Sequence, residues 1–370
     1  MSRINYLTRI EFGEGEIERL PEFLAGLGVK RPLIATDRGL VASGLVGRVA
    51  RLAGDGAAVF DETPPNPTED AVIAAKRLYD DARCDGVIGL GGGSSLDLAK
   101  AVRLLTGHEG PLEQYAAVAG GVARIHGGLC PLIAIPTTSG TGSEVGRAAV
   151  IVTASGRKLG IISDFMFPSL ALCDPELTYG LPQALTAATG MDAIAHCLET
   201  YMAPAFNPPA EAIALHGLTC GLGAIRTAVA DGANRSARRD MMVSALEGAL
   251  AFQKGLGAVH ALSHPMGAIR EPILHHGTLN AVLMPAVLRF NRDAIGPKWD
   301  ELARRLGGPP DEMIAALNSE IGIPAGLRAM GVTDAMMEAV SHAALEDHCH
   351  LTNPRLATQG DYLGMLRDAA

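Results

Sequence analysis

The residues best suited to chemistry come in pairs set four apart: Asp192 and His196 in GMDAIAHCLET, and His260 and His264 in VHALSHPMGA, with the adjacent His275 and His276 following in LHHG. In a helix this spacing puts both members of a pair on one face. A carboxylate oxygen and several neutral imidazole nitrogens suit a first-row divalent ion. A single histidine is ordinarily a hydrogen-bonded core or surface residue. Here five of the eleven histidines fall in three segments of one apolar region, which points to a shared metal. Four groups would bind it and leave a coordination position open for a substrate oxygen, while the fifth would stand beside it.

A second kind of chemistry is carried by glycine. GVIGLGGGSSLDLAK, residues 86 to 100, reads as a buried strand, a turn of Gly91, Gly92 and Gly93, and a helix opening at Ser94 or Ser95. Backbone free of β-carbons and the positive end of a helix dipole make a site for a pyrophosphate. Ser94 and Asp97 have capping-box spacing, with Asp in place of the usual Glu or Gln. The pattern is neither GxGxxG nor a P-loop, because Lys100 lies too far along the helix to reach a phosphate beside the turn. A tight turn without a ligand is the plainer alternative. PTTSGTGSEV, residues 136 to 145, offers hydroxyls at Thr137, Thr138, Ser139, Thr141 and Ser143, which could bind a ligand or simply bond their own backbone. Asp37 ends PLIATD, where it could accept from an adenosine ribose and repel a 2′-phosphate, or act as a turn or cap residue.

The elements that must position these groups divide into two regions. PLIATD, AAVFDE, GVIGL and PLIAIPTT alternate with amphipathic stretches such as Thr68 to Ala82, predicting βα units on a mostly parallel sheet. From about Pro182, long Ala-, Leu- and Met-rich segments predict an all-helical region. CDPELTYGLP makes the connection, so an α/β domain is expected over residues 1–181 and a helical domain over 182–370, with a ligand cleft between them.

Composition narrows the function. The 370 residues are 48% hydrophobic and 19% charged, enough apolar surface for a folded core. A net charge of -9 and dispersed basic residues leave no electrostatic footprint for nucleic acid. No apolar leader and no run of about twenty uncharged apolar residues is present, so membrane insertion is not expected. The six cysteines are scattered without a CxxC pair, which fits a reducing cytoplasm.

GGGSSLDLAK, PTTSGTGSEV, GMDAIAHCLET, GLGAVHALSHPMGA, HHGTLNAV and the late TNPR stand in the order and approximate spacing of one family. The chain resembles the iron-containing, or group III, alcohol dehydrogenases over essentially its full length. The resemblance implies a dinucleotide-binding α/β domain, an all-α metal-binding domain of the dehydroquinate synthase type, and a homodimer or larger homo-oligomer. It implies Asp192, His196, His260 and His276 as ligands to Fe²⁺ or Zn²⁺, with His276 preferred to His275 because the family histidine directly precedes glycine. His264 is implied as a proton-transfer residue near the nicotinamide, and Asp37, Asn66, Gly92, Gly93, Ser94, Thr137, Thr138, Thr141 and Lys158 as contacts to NAD. FDETPPNPTE, AFNPPAE, AFQKGLGAVH and DHCHLTNP are most similar to the 4-hydroxybutyrate dehydrogenases, which implies an ω-hydroxy acid and its semialdehyde as substrates.

Such a substrate would need a cation for its carboxylate. Lys254 is the first candidate, followed by Arg147, His348 and His350, with Cys349 in the same late segment. A general short-chain alcohol or diol dehydrogenase is the alternative within the family. A metal- and NAD-using lyase of the dehydroquinate synthase type would show more basic residues around Asp192 and His260. A non-catalytic nucleotide-binding protein would have no use for an open metal site.

Overall fold

The computed structural model describes residue 4 and residues 6–370. Contacts divide it into two units: residues 6–138 with 142–179, and residues 180–370 joined by Ser139–Thr141. The expected boundary at Leu181 lies two residues inside the second unit, and Thr141 of the hydroxyl-rich loop groups with the helices.

The α/β unit carries the strands β1 (Ile10–Phe12), β2 (Pro32–Ala35), β3 (Ala58–Phe60), β4 (Gly86–Gly91), β5 (Leu132–Pro136), β6 (Ala148–Val152), β7 (Lys158–Ile162) and β8 (Leu170–Cys173). Its helices are α1 (Leu20–Gly26), α2 (Arg38–Ala42), α3 (Leu45–Ala53), α4 (Glu69–Asp81) and α5 (Gly93–Leu105). Six strands form one parallel sheet in the order β1-β8-β5-β4-β2-β3. The expected parallel sheet is present; the antiparallel hairpin β6–β7 beside it was not foreseen. Successive side chains of a strand enter opposite layers. Thus Leu33 and Ala35 pack with α4 and α5, while Ile34 packs with α1 and α3. Each fully buried Leu or Ile contributes roughly 1.5–3 kcal/mol.

Strand order reverses between β2 and β4. After β2 the chain moves outward to β3, then returns past β2 and continues through β5 to β8. The carboxyl ends of β2 and β4 therefore flank a topological switch point, where open α/β sheets bind their ligands.

The helical unit consists of α6 (Gln183–Met202), α7 (Pro208–Ala230), α8 (Arg235–Ala251), α9 (Ala258–Met266), α10 (His276–Ile295), α11 (Pro297–Leu306), α12 (Pro310–Glu320), α13 (Asp334–Ala343) and α14 (Gln359–Asp368). α6 is buried along nearly its whole length, as expected for a helix apolar on all sides. It packs on α7, α8 and α10 around one core. α7 is long and apolar enough to cross a bilayer, and it packs one face along α6 and α8.

Candidate metal and nucleotide sites

In the helical unit Asp192, His196 and Glu199 project from one face of α6, at spacings of four and three. α9 supplies His260 and His264, again one turn apart, and α10 supplies His276 at its first position and Asn280 a turn later. Gly277 lets α10 approach α6, because a β-carbon there would stand 2.3 Å from the Ala188 carbonyl oxygen. His275 is the cap of α10, its Nδ1 accepting from the Thr278 amide at 3.4 Å. The helix start thus turns the two neighbouring histidines to different tasks, and it is His276 that reaches the cluster.

Asp192 Oδ1 stands 3.9, 3.9 and 3.7 Å from Nε2 of His196, His260 and His276. Nε2 of His196 and of His260 are 3.0 Å apart. Metal–ligand bonds of about 2.0–2.1 Å at tetrahedral angles put neighbouring ligand atoms about 3.3–3.4 Å apart. These separations straddle that value; Asp192, His196 and His260 have donor atoms all within 4.8 Å of one another, and His276 joins them through Asp192. All four side chains are largely buried, and burial, followed by the neighbouring His196 and His264, holds His260 well below the ordinary imidazole range. Imidazole nitrogens converging on one carboxylate are the donor set a divalent ion needs.

Three residues that the sequence reading did not single out organise this cluster. Glu199 Oε2 meets His260 Nδ1 at 2.5 Å, and its Oε1 accepts from the Val259 amide at 2.8 Å. Burial first of all pushes the Glu199 carboxyl up to about 7, against the backbone donors and His196 that favour its charge. With a proton on Nδ1, the free lone pair of His260 is on Nε2, facing Asp192. Asn280 donates to Asp192 Oδ1 at 2.7 Å and lies within 3.2 Å of Nε2 of both His260 and His276. Asn353 of the TNPR motif accepts from the Ala258 amide at 3.0 Å and exchanges hydrogen bonds with Asn291, joining the start of α9 to α10. The signals were available for two of these, since Glu199 falls on the Asp192–His196 stripe and Asn280 follows His276 by one turn.

His264 stands next to the cluster, its ring stacked over His276 at 5.5 Å between centroids. Its Nδ1 bonds Asp347 Oδ2 at 2.9 Å. Burial raises the Asp347 carboxyl, but the charge and hydrogen bond of His264, then His348, hold it below the usual carboxylate range.

The expected carboxylate ligands fare differently. Lys254 is fully buried, where its ammonium donates to the carbonyls of Thr200, Tyr201 and Ala203 and pairs with Glu211 at 3.2 Å. It closes the carboxyl end of α6, which corrects the expectation that it offers a cation to substrate. Burial, and then Lys298, lower it to about 8. Arg147 belongs to the α/β unit and pairs with Asp164 at 2.7 Å. His350 is buried against the Tyr362 hydroxyl at 2.9 Å. Cys349 is buried, its thiol pushed well up by burial and then by Asp347 and Glu199. His348 keeps 31% of its side-chain surface exposed.

In the α/β unit, β4 and β5 pair with Gly91 opposite Pro136, so the glycine turn and the PTTSG turn leave adjacent strand ends. Gly91 has φ 148°, and a β-carbon there would strike Ser95 Oγ at 2.7 Å. Gly92 and Gly93 open α5, while Thr138 packs against Gly92 and the Thr137 amide donates to the Gly91 carbonyl at 3.0 Å. The expected Ser94–Asp97 capping box is absent. Ser94 donates instead to the Pro65 carbonyl, and Asp97 accepts from Ser143 Oγ at 2.6 Å and the Val150 amide at 3.0 Å. A tertiary partner wins over a local cap because Asp97 lies half-buried beside Lys100, whose ammonium donates to Ser143, Gly146 and Ala148. Asn66 accepts from Lys158 Nζ at 2.8 Å, next to the Ser94 contact. Asp37 follows β2 and caps α2 by accepting from the Leu40 amide at 3.1 Å. Asp37 and the Gly91–Gly93 turn thus flank the switch point.

Comparison with known proteins agrees with both halves of this description. Residues 8–175 match the family described as iron-containing alcohol dehydrogenase, and residues 186–370 match its C-terminal domain family. The chain is 51% identical to a 4-hydroxybutyrate dehydrogenase of Cupriavidus necator, with all of both chains covered. It is 35% identical to a 1,3-propanediol dehydrogenase of Klebsiella pneumoniae, covering 97% of this chain and 96% of that one. Among solved structures, a 1,3-propanediol oxidoreductase superposes with a TM-score of 0.93 at 34% identity over the whole of both chains. A sulfoacetaldehyde reductase of Bifidobacterium kashiwanohense, solved with NAD⁺, superposes with a TM-score of 0.90 at 28% identity, covering 100% of this chain and 99% of that one. With buried Asp and His donors in its helical half and a nucleotide-type switch point in its α/β half, the chain belongs to the iron-containing alcohol dehydrogenase family.

Proposed function

We propose that the protein interconverts a small ω-hydroxy acid, of the 4-hydroxybutyrate type, and its semialdehyde, transferring hydride to and from NAD. The observation that carries the reaction class is the convergence of Asp192 with Nε2 of His196, His260 and His276 in a largely buried cluster. These four would hold the divalent ion, Fe²⁺ or Zn²⁺. Bound there, such an ion supplies Lewis acidity toward an alcohol or carbonyl oxygen. Glu199 fixes the tautomer of His260, and Asn280 orients Asp192. Asp347 accepts from Nδ1 of His264, leaving Nε2 as the atom that takes and returns the proton of the substrate hydroxyl.

The NAD reading rests on Asp37 and the Gly92, Gly93 and Ser94 turn beside the switch point, with Asn66, Thr137, Thr138, Thr141 and Lys158 as further contacts. Asp37 favours NAD over NADP because its charge opposes a 2′-phosphate. The substrate class is supported by the 51% identity to the Cupriavidus necator enzyme. With Lys254 occupied, His348 is the candidate left with an exposed edge for the carboxylate, as a neutral hydrogen-bond donor, because burial lowers its imidazole below the ordinary range. A cytoplasmic setting is supported by six free cysteines. The homo-oligomer implied by the family is checked by light scattering.

The deciding experiment loads the chelator-treated protein with Fe²⁺ or Zn²⁺ and compares kcat/KM for 4-hydroxybutyrate, 1,3-propanediol and butanol with NAD⁺ and NADP⁺. The expected result is a clear preference for 4-hydroxybutyrate with NAD⁺. Equal values for butanol would return the protein to the general alcohol and diol dehydrogenases. His264→Ala should slow turnover while bound metal persists, and loss of the metal would make His264 a ligand.

A further inference from the structure

Asp347, His348 and Cys349 are consecutive in the chain, and together with His264 they place four different donor groups around one point. Asp347 Oδ2 is 2.9 Å from His264 Nδ1, and its Oδ1 is 3.7 Å from His348 Nδ1. The two imidazoles stack nearly parallel across the carboxylate, at 5.4 Å and 19°. The Cys349 amide donates to Asp347 Oδ1 at 2.8 Å, which folds the chain so that Sγ also turns inward. All four donor atoms, one from each residue, lie within 4.8 Å of one another. No member of this group is among Asp192, His196, His260 and His276.

We propose that this group is a second metal site, for a divalent ion that accepts nitrogen, oxygen and sulfur, such as Zn²⁺ or Co²⁺. Tetrahedral coordination asks for donor separations of about 3.3–3.6 Å, given bonds of about 2.0–2.1 Å to nitrogen and oxygen and 2.3 Å to sulfur. The 2.9 and 3.7 Å separations straddle that value, and no pair of donor atoms is more than 4.8 Å apart. The charges balance: ionised Cys349 and Asp347 carry two negative charges against the two positive ones of the ion, so a largely buried site is left neutral. Binding releases the Cys349 thiol proton to solvent and shifts the His264 proton from Nδ1 to Nε2. The partly exposed edge of His348 gives the ion its route in. An ion here takes Nδ1 of His264 away from Asp347, so occupancy blocks the proton relay assigned to His264 and makes this an inhibitory site; that consequence, unlike the binding itself, rests on the function proposed above.

The test is titration of the chelator-treated full-length protein with Co²⁺, followed by absorption and by bound metal per chain. Two equivalents are expected. The second should bring a near-ultraviolet thiolate-to-cobalt charge-transfer band and a fall in turnover relative to the one-equivalent enzyme. Cys349→Ser should abolish the band, and His348→Ala should weaken the second equivalent at least about tenfold, while both retain the first. That retained equivalent also reports that the variants are folded. A wild-type protein that saturates at one equivalent without a thiolate band overturns the proposal, as does a band that survives in Cys349→Ser. A band that grows with no fall in turnover overturns the inhibitory role. Failure of the first equivalent to bind would count against the primary metal centre instead, so the two readings fail separately.

Discussion

The two units build their sites from different materials. In the α/β unit the candidate nucleotide site is mostly backbone: a glycine turn, the first amides of α5, and a strand order that opens a gap between β2 and β4. In the helical unit the site is made of side chains from α6, α9 and α10, with His260, Asp192 and His264 held by Glu199, Asn280 and Asp347 in turn. A backbone site tolerates side-chain changes around it and is weakened by a misplaced β-carbon. A side-chain site loses its function with single residues, including those that never touch the ligand.

That contrast sets the scale of the expected effects. His260→Ala should lower metal content below one ion per chain and reduce kcat/KM at least about 10³-fold, the several kcal/mol that metal assistance contributes. NAD binding, measured by fluorescence titration, should persist; if it vanishes as well, the two sites are not separable. Glu199→Gln removes the carboxylate behind His260 and should weaken metal affinity by about 10–100-fold in a competition with a coloured chelator. Unchanged affinity would mean that His260 is oriented by packing alone.

The α/β unit offers a different test. Burial pushes Glu144 up to about 7, against about 4.3 in an unfolded chain. The folded state therefore binds the extra proton between these values, and stability falls as pH rises through that window. Glu144→Gln should show little advantage in melting temperature at pH 5 and a clear one at pH 8, worth about 1–3 kcal/mol. An advantage independent of pH would count against a buried ionising carboxyl. The smallest effect belongs to Asp37→Ala, which should relax discrimination against NADP⁺ several-fold, about 1 kcal/mol of charge repulsion near a surface. An unaltered NADP⁺ to NAD⁺ ratio would leave Asp37 as the cap of α2 and nothing more.

Much of this was legible in the chain. Helical spacing grouped Asp192 with His196 and His260 with His264, because periodicity is a local property. The choice between His275 and His276 came from resemblance alone, and the structure ties it to where α10 begins. The rest is tertiary. Lys254 sits under two turns before α9, which made it look available to substrate, yet a buried ammonium beside three helix-end carbonyls is more stable there than in an apolar pocket. Ser94 and Asp97 had the spacing of a local cap, but Lys100 and Ser143 offered Asp97 a buried network instead. Glu199 needed a partner 61 residues away to reveal its task.

Asn353 has a consequence for the order of events during synthesis. It follows all four of the first site's side chains in the chain, and it alone ties the Ala258 amide at the head of α9 to Asn291 of α10. A nascent polypeptide that has emerged only through His276 possesses Asp192, His196, His260 and His276 but lacks the amide that fastens two of their helices. This tie between α9 and α10 is therefore made only after residue 353 has emerged, well after the four side chains themselves.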